Sequence, residues 1–370
     1  MSSTSSSVNR QPPCALTLRI LLQARHLARG MSAHIDTLMH RLKTGVSSVE
    51  LLYVPHDRWP LSSLVHPSTP CDRKARLRIS VLDSSFNPPT LAHRALSSMP
   101  MPPSIAADCT SSSRSADFDA RLLLLSVRNA DKALKPTDAT YKQRAEMMEL
   151  LAQDIITENT SPSGTAESDD DVQRSAEDST LGNIAVGLID EPTFVGKSHI
   201  LREFIHQRLA SLSGAASPSP AGPSAAPFMH VAQAQLTFVV GIDTLERILS
   251  PRYYASEEAM RTALHQFLSA DGDDSYLICA RRITPGLLVA EHEREEAVLR
   301  TAKEFIDPDR VTMVDIGEKI QEYSSSEVRQ RIGSGQADTV WRRMVTDAIA
   351  KYIDEQRLYA THTTQTAASN

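Results

Sequence analysis

The sequence predicts an α/β domain: a parallel sheet with helices packed on both faces. Three observations carry that expectation. Short apolar runs alternate along the chain with helix-compatible segments. One run, Leu122-Leu123-Leu124-Leu125, is apolar at every position, as in a strand covered on both sides. The loops that hold chemically suggestive residues leave the carboxyl ends of such runs, where open α/β sheets bind their ligands. At 370 residues the chain is long enough for one catalytic domain with insertions or for two domains.

Residues 1–45 are rich in Ser and Arg, with Asp36 their only acid. They read as a disordered tail followed by an amphipathic helix, roughly Leu21 to Leu42, docked on the domain. A mitochondrial presequence has the same composition. Val54 to Asp72, rich in Pro and His, reads as a connector. Residues 1–75 are thus set apart from a main domain over 76–360 and a tail over 361–370. The domain opens with a strand over Leu77–Leu82 and a helix from Pro89 to about Ser98, stopped by Pro100, Pro102 and Pro103. Residues 104–118 are a Ser-rich, disordered loop, and a second strand covers Arg121–Val127.

A loop with Lys132 and Lys135 then leads to Asp138, which can cap a helix over Ala139–Ile156. The acidic, aperiodic residues 159–180 read as a disordered insertion. Strand three is Ile184–Ile189, followed by a helix near Lys197–Leu212. The Ala/Ser/Gly/Pro stretch 213–227 is another flexible insertion. Strand four, Leu236–Val240, ends at Gly241-Ile242-Asp243, and helices fit Asp243–Leu249 and Glu257–Leu268. Strand five is Tyr276–Ala280. A helix over His292–Ile306, a short strand over Arg310–Val314, and helices over Ser325–Ile332 and Val340–Gln356 complete the chain.

Bulk properties narrow the function. The formal net charge of −6 gives no general attraction to nucleic acid or anionic membrane. Cys14, Cys71, Cys109 and Cys279 form no C-x-x-C pair, which argues against a disulfide framework or a zinc site and for a reducing compartment. No apolar run approaches the length of a membrane span. No G-x-G-x-x-G opens a helix, and the chain has no G-x-x-x-x-G-K-[ST], H-E-x-x-H or G-x-S-x-G.

The chemistry rests instead on two helix starts. Ser85-Phe86-Asn87-Pro88-Pro89-Thr90-Leu91-Ala92-His93 is a strand–loop–helix junction with a hydroxyl and an imidazole three positions apart. Free backbone N–H groups and the positive end of a helix dipole suit a phosphate there. Tyr323-Ser324-Ser325-Ser326-Glu327-Val328-Arg329 is a second helix start, with Ser caps and a cation one turn in. Taken singly, each also fits an ordinary capped helix. Together, from opposite ends of one domain, they suit a polyphosphate held between them.

Four segments in order then resemble the nicotinamide mononucleotide adenylyltransferases of the HxGH nucleotidylyltransferase superfamily. They are SFNPPTLAH, SVRNADKALKPTDATYKQRAEMM, FVVGIDTLERIL with YLICARR, and EYSSSEVRQRIGSGQ with IAKYIDEQRLYA. The spelling VLDSSFNPP with LLLLSVRNADKALKP is most similar to the fungal promoter-of-filamentation branch, and the resemblance spans roughly residues 77–360. It implies a Rossmann-like sheet of nucleotidylyltransferase type with an N-terminal helical extension. It implies that Thr90 and His93 stand at the signature positions, with His93 contacting the ATP phosphates. By the same resemblance Ser84, Ser85 and Phe86 form the loop over the phosphates and the nicotinamide nucleotide. Lys132 is implied as the phosphate-binding lysine, with Lys135 a rival for that alignment. Gly241 and Asp243 match the G-x-D motif near the riboses, Phe194 stands where an aromatic stacks on nicotinamide, and Ser324, Ser325 and Arg329 match the last phosphate motif. The chain departs from the family at Ser84, where Gly is usual, and at Ala92, the middle glycine of the signature.

The implied reaction joins ATP and nicotinamide mononucleotide to give NAD and pyrophosphate, with His93, Lys132 and Arg329 stabilising charge. Mg²⁺ is expected on the ATP phosphates rather than in a protein-built cage. A cytoplasmic or nuclear location is expected. The alternatives are a related transferase using CTP or another acceptor, and a nucleotide-binding or ATPase regulator that kept the fold.

Overall fold

The computed structural model of the chain describes residues 33–62, 76–106, 117–128, 135, 137–160, 180–212, 233–281, 288–334 and 339–360. The expected tail before residue 33, most of the three insertions, Lys132, and Cys14, Cys71 and Cys109 lie outside the described residues.

Among the described residues seven strands form one sheet: β1 (Val49–Tyr53), β2 (Leu77–Asp83), β3 (Ala120–Ser126), β4 (Ile184–Ile189), β5 (Ala234–Gly241), β6 (Tyr276–Ala280) and β7 (Val311–Val314). Their order is β1-β4-β3-β2-β5-β6-β7, parallel throughout except where β1 pairs antiparallel with β4. The six parallel strands lie where the apolar runs put them. β1 was not expected. It is a five-residue edge strand with one fully buried position, so its sequence carries no strong period. It also means that the sheet reaches back across the boundary drawn at residue 76.

The helices are α1 (33–43), α2 (Leu91–Ser97), α3 (Pro103–Ala106), α4 (Tyr141–Thr160), α5 (Phe194–Leu212), α6 (Ile242–Ile248), α7 (Glu257–Leu268), α8 (Leu288–Phe305), α9 (Glu318–Gln321), α10 (Ser325–Gly333) and α11 (Asp347–Gln356). None of the described helices is long and apolar enough to cross a membrane.

Two cores sandwich the sheet, and the leucine run of β3 shows how. Leu123 and Leu125 point into one core with Met147, Leu151 and Ile155 of α4 and Ile349 and Ile353 of α11. Leu122 and Leu124 point into the other, with Leu201 and Ile205 of α5 and Met260 and Phe267 of α7. Ile35, Met39 and Leu42 seat α1 on the first core. Each such side chain contributes about 1.5–3 kcal/mol by leaving water.

Three local expectations are corrected. Asp138 does not cap α4. Thr140 does, exchanging bonds with Gln143: Thr140 N–H donates to Gln143 Oε1 at 2.9 Å, and Gln143 N–H to Thr140 Oγ1 at 3.2 Å. Residues 103–106 form the short α3 at the start of the stretch read as an irregular loop. The helix expected over Val340–Gln356 is a 3₁₀ turn at Val340–Met344 and then α11. No Gly or Pro marks that break. Thr346 makes it, because its hydroxyl takes the N–H of Ile349 and ends any helix entering from upstream. Thr346→Ala is expected to cost about 1 kcal/mol in urea unfolding.

Candidate functional site

The chain winds outward from the central β2 through β3 to β4, then crosses on α5 to β5 at the other side of β2. Loops leaving the carboxyl ends of β2 and β5 therefore part in opposite directions and open a crevice. The cleft there measures about 440 Å³, within the range of small-molecule sites. It gathers residues from across the sequence. Ser84, Ser85 and His93 line it from the β2 loop and α2, and Gly241 and Asp243 from the end of β5. Phe194 joins from α5, and Ser324 and Ser325 from the start of α10. A Cβ at Gly241 would meet nothing, because the space above the strand end is open.

Other expected residues stand behind the wall. Phe86 is fully buried, its ring 5.1 Å from that of His93, so it supports the imidazole and offers no face to a ligand. Its backbone lies in the left-handed region at φ 43°, which turns the chain sharply from strand to helix. Thr90 is buried too and serves His93. Arg329 is not among the cleft-lining residues. It donates to the Asn87 carbonyl and lies 3.7 Å from Asp138. Lys135 is exposed, and its backbone N–H donates to Asp138 at 3.1 Å.

His93 is held at both nitrogens. The Thr90 backbone N–H reaches Nδ1 at 3.0 Å and the Thr90 hydroxyl at 2.9 Å. Nδ1 is therefore the acceptor, and the neutral ring carries its proton on Nε2, which donates to Ser84 Oγ at 2.9 Å. Burial lowers the pKa of the ring from 6.5 to about 4. The unfolded chain thus takes up a proton as pH falls from 6.5 towards 4. The stability contributed by the neutral ring is present above that window and lost within it. The ¹⁵N spectrum of the ligand-free protein is expected to show the Nε2–H tautomer with no titration above about pH 5. A midpoint near 6.5 would contradict this geometry.

Asn87 welds the site together and is itself almost wholly buried. Its Nδ2 donates to Asp138 at 2.9 Å, and its Oδ1 accepts from the Ala139 N–H at 3.2 Å and the Tyr359 hydroxyl at 2.9 Å. Ser325 Oγ donates to the Pro88 carbonyl at 2.7 Å. The loop after β2, the start of α4 and the start of α10 are thereby one unit.

Several lining groups carry no motif. Arg144 of α4 is buried, donating to the carbonyl of Ala139 at 2.9 Å and of Ser85 at 3.4 Å, and burial lowers its pKa. Arg247 and Arg281 also line the cleft. Arg281 is shared between Glu295 at 2.9 Å and Asp315 at 3.0 Å. Asp243 accepts from Arg294 at 2.6 Å. Asp83 and Lys197 pair at the wall. Arg144 and Arg281 lie within segments that carry the family resemblance; the Glu295 and Asp315 partners of Arg281 lie outside them. Cys279 is buried and its thiol is pushed up to about 12 by burial, which removes it as a nucleophile.

No family model matches the sequence. The "Putative nicotinamide mononucleotide adenylyltransferase" of Schizosaccharomyces pombe is 28% identical over 208 residues, which are 56% of this chain and 55% of that protein. The chain thus spans about half the length of the curated relative that it matches. Two solved structures of Plasmodium falciparum nicotinic acid mononucleotide adenylyltransferase, complexed with APC and with NaAD, are 13% identical. Each aligns over 77% of this chain and 98% of its own, with TM-scores of 0.39 and 0.41. Superpositions this loose add nothing to the topology read from the chain itself.

Proposed function

We propose that the chain is a nicotinamide mononucleotide adenylyltransferase, transferring the adenylyl group of ATP to the mononucleotide and releasing pyrophosphate. The observation that carries the reading is the switch-point cleft itself. It brings His93, with an N–H donor, into one cleft with the Ser324–Ser325 helix start, whose Ser325 Oγ donates to the Pro88 carbonyl across a separation of 237 residues. The resemblance of four ordered segments and the similarity to the Schizosaccharomyces pombe protein point the same way.

The acceptor's 5′-phosphate oxygen would attack the α-phosphorus of ATP in line, forming one P–O bond as the bond to pyrophosphate breaks. That oxygen is anionic near neutral pH, so no side chain has to remove a proton. The chain's part is alignment and charge stabilisation. His93 Nε2–H would turn from Ser84 Oγ to a phosphate oxygen as negative charge builds. Arg144 and Arg247 make the surrounding wall cationic. Mg²⁺ would arrive on the ATP phosphates, where it neutralises charge. The described residues gather no group of three or more His, Cys, Asp or Glu that could hold an ion.

Purified protein given ATP and nicotinamide mononucleotide is expected to form NAD and pyrophosphate in equal amounts. CTP in place of ATP, and phosphopantetheine in place of the mononucleotide, should give no product. ATP binding without any dinucleotide would sink the transferase reading and leave a nucleotide-binding regulator.

A further inference from the structure

The cleft wall holds one buried ion pair that adenylyl transfer does not use. Asp83 is the last residue of β2, and Lys197 lies in the first turns of α5, where its N–H bonds the Thr193 carbonyl. Their side chains are 7% and 5% exposed, yet both line the cleft. The ammonium donates to Asp83 Oδ2. Among the described residues nothing else bonds that carboxylate, so Oδ1 keeps its lone pairs. The same ammonium sits 4.8 Å from the centre of the Phe194 ring, itself a lining residue.

Withdrawing two charges from water is unfavourable unless geometry and further hydrogen bonds compensate. A pair with one open acceptor and spare N–H groups at a ligand wall is therefore better suited to recognition than to stability. It places an anionic acceptor and a cationic donor side by side at the edge of an aromatic ring. A primary carboxamide matches both: its carbonyl accepts from Lys197 Nζ, and its NH₂ donates to Asp83 Oδ1. A carboxylate can accept from Lys197 but has no proton to give. It would set a second anion against Asp83, and mismatches of that kind are what specificity is built from.

Resting on the reading of this cleft as a pyridine-mononucleotide site, we propose that the Asp83–Lys197 pair reads the pyridine substituent and selects carboxamide over carboxylate. The test compares kcat/KM for nicotinamide and nicotinate mononucleotides, with ATP saturating, in the wild-type protein, in Asp83→Asn, and in the neutral double variant Asp83→Asn/Lys197→Gln. Melting temperature and ATP affinity report whether each variant is folded. The wild type is expected to favour nicotinamide mononucleotide by about tenfold or more, and each folded variant to lose about tenfold of that ratio through KM. A wild type that is indifferent or favours the nicotinate, or a ratio unmoved in a folded variant, overturns the proposal. If neither variant folds, equilibrium binding of the two mononucleotides to the wild type decides it, and equal affinities overturn it. The parent reading fails differently, by giving no dinucleotide from either acceptor. The same binding measurement then settles the selection alone.

Discussion

His93→Ala is expected to lower turnover of ATP with nicotinamide mononucleotide by about 10²–10³, while ATP affinity changes by no more than about fivefold. The reasoning starts from the proton. Two groups of Thr90 fix Nδ1 as an acceptor, so the single N–H of the neutral ring points from Nε2 towards Ser84 and the cleft. A neutral donor of this kind gains most when the oxygen it faces acquires charge, which happens in the transition state rather than in bound ATP. Its removal should therefore appear in kcat. The substitution also strips the Thr90 N–H of its acceptor, a cost of about 1 kcal/mol that unfolding experiments would register separately. Equal losses in kcat and in ATP affinity would show that His93 merely holds the nucleotide.

The strands and the two helix starts were legible because each is local. Apolar runs at strand length, and Ser or Thr beside a helix period, need no knowledge of the partner. What stayed hidden depends on pairing at long range. Asp83 and Lys197 are 114 residues apart, and only the strand order β3-β2-β5 with α5 crossing over it brings them together. Arg329 was legible as a cation near a helix start. That its guanidinium would be spent on Asn87 and Asp138 was not, since neither partner is near it in sequence. Phe86 shows the converse failure. It was expected in the loop over the phosphates and the nicotinamide nucleotide, but the tight turn at φ 43° drives it inward, into the first core. β1 was missed because an edge strand with one buried position leaves no period to read.

Asn87→Ala should be the most damaging small substitution in the site for stability, costing about 2–4 kcal/mol. The buried amide makes three bonds to two distant segments: to Asp138 and the Ala139 N–H just before α4, and to the Tyr359 hydroxyl near the end of the domain. Alanine leaves all three partners without their bond in a place where water has little room. Burial already raises the pKa of the Tyr359 hydroxyl, which therefore remains a neutral donor in search of an acceptor. Tyr359→Phe removes only one of these bonds and should cost about 1 kcal/mol. Because the two residues share a bond, their effects should fall short of additive by about 1 kcal/mol in a double-mutant cycle. The loop after β2 is held to α10 by neighbouring bonds at Pro88, so the damage should extend to function, raising KM for both substrates. Urea unfolding of the four proteins checks the energetics. Additive losses, or an Asn87→Ala cost below about 1 kcal/mol, would show that the loop is held by its own backbone and that the amide is incidental.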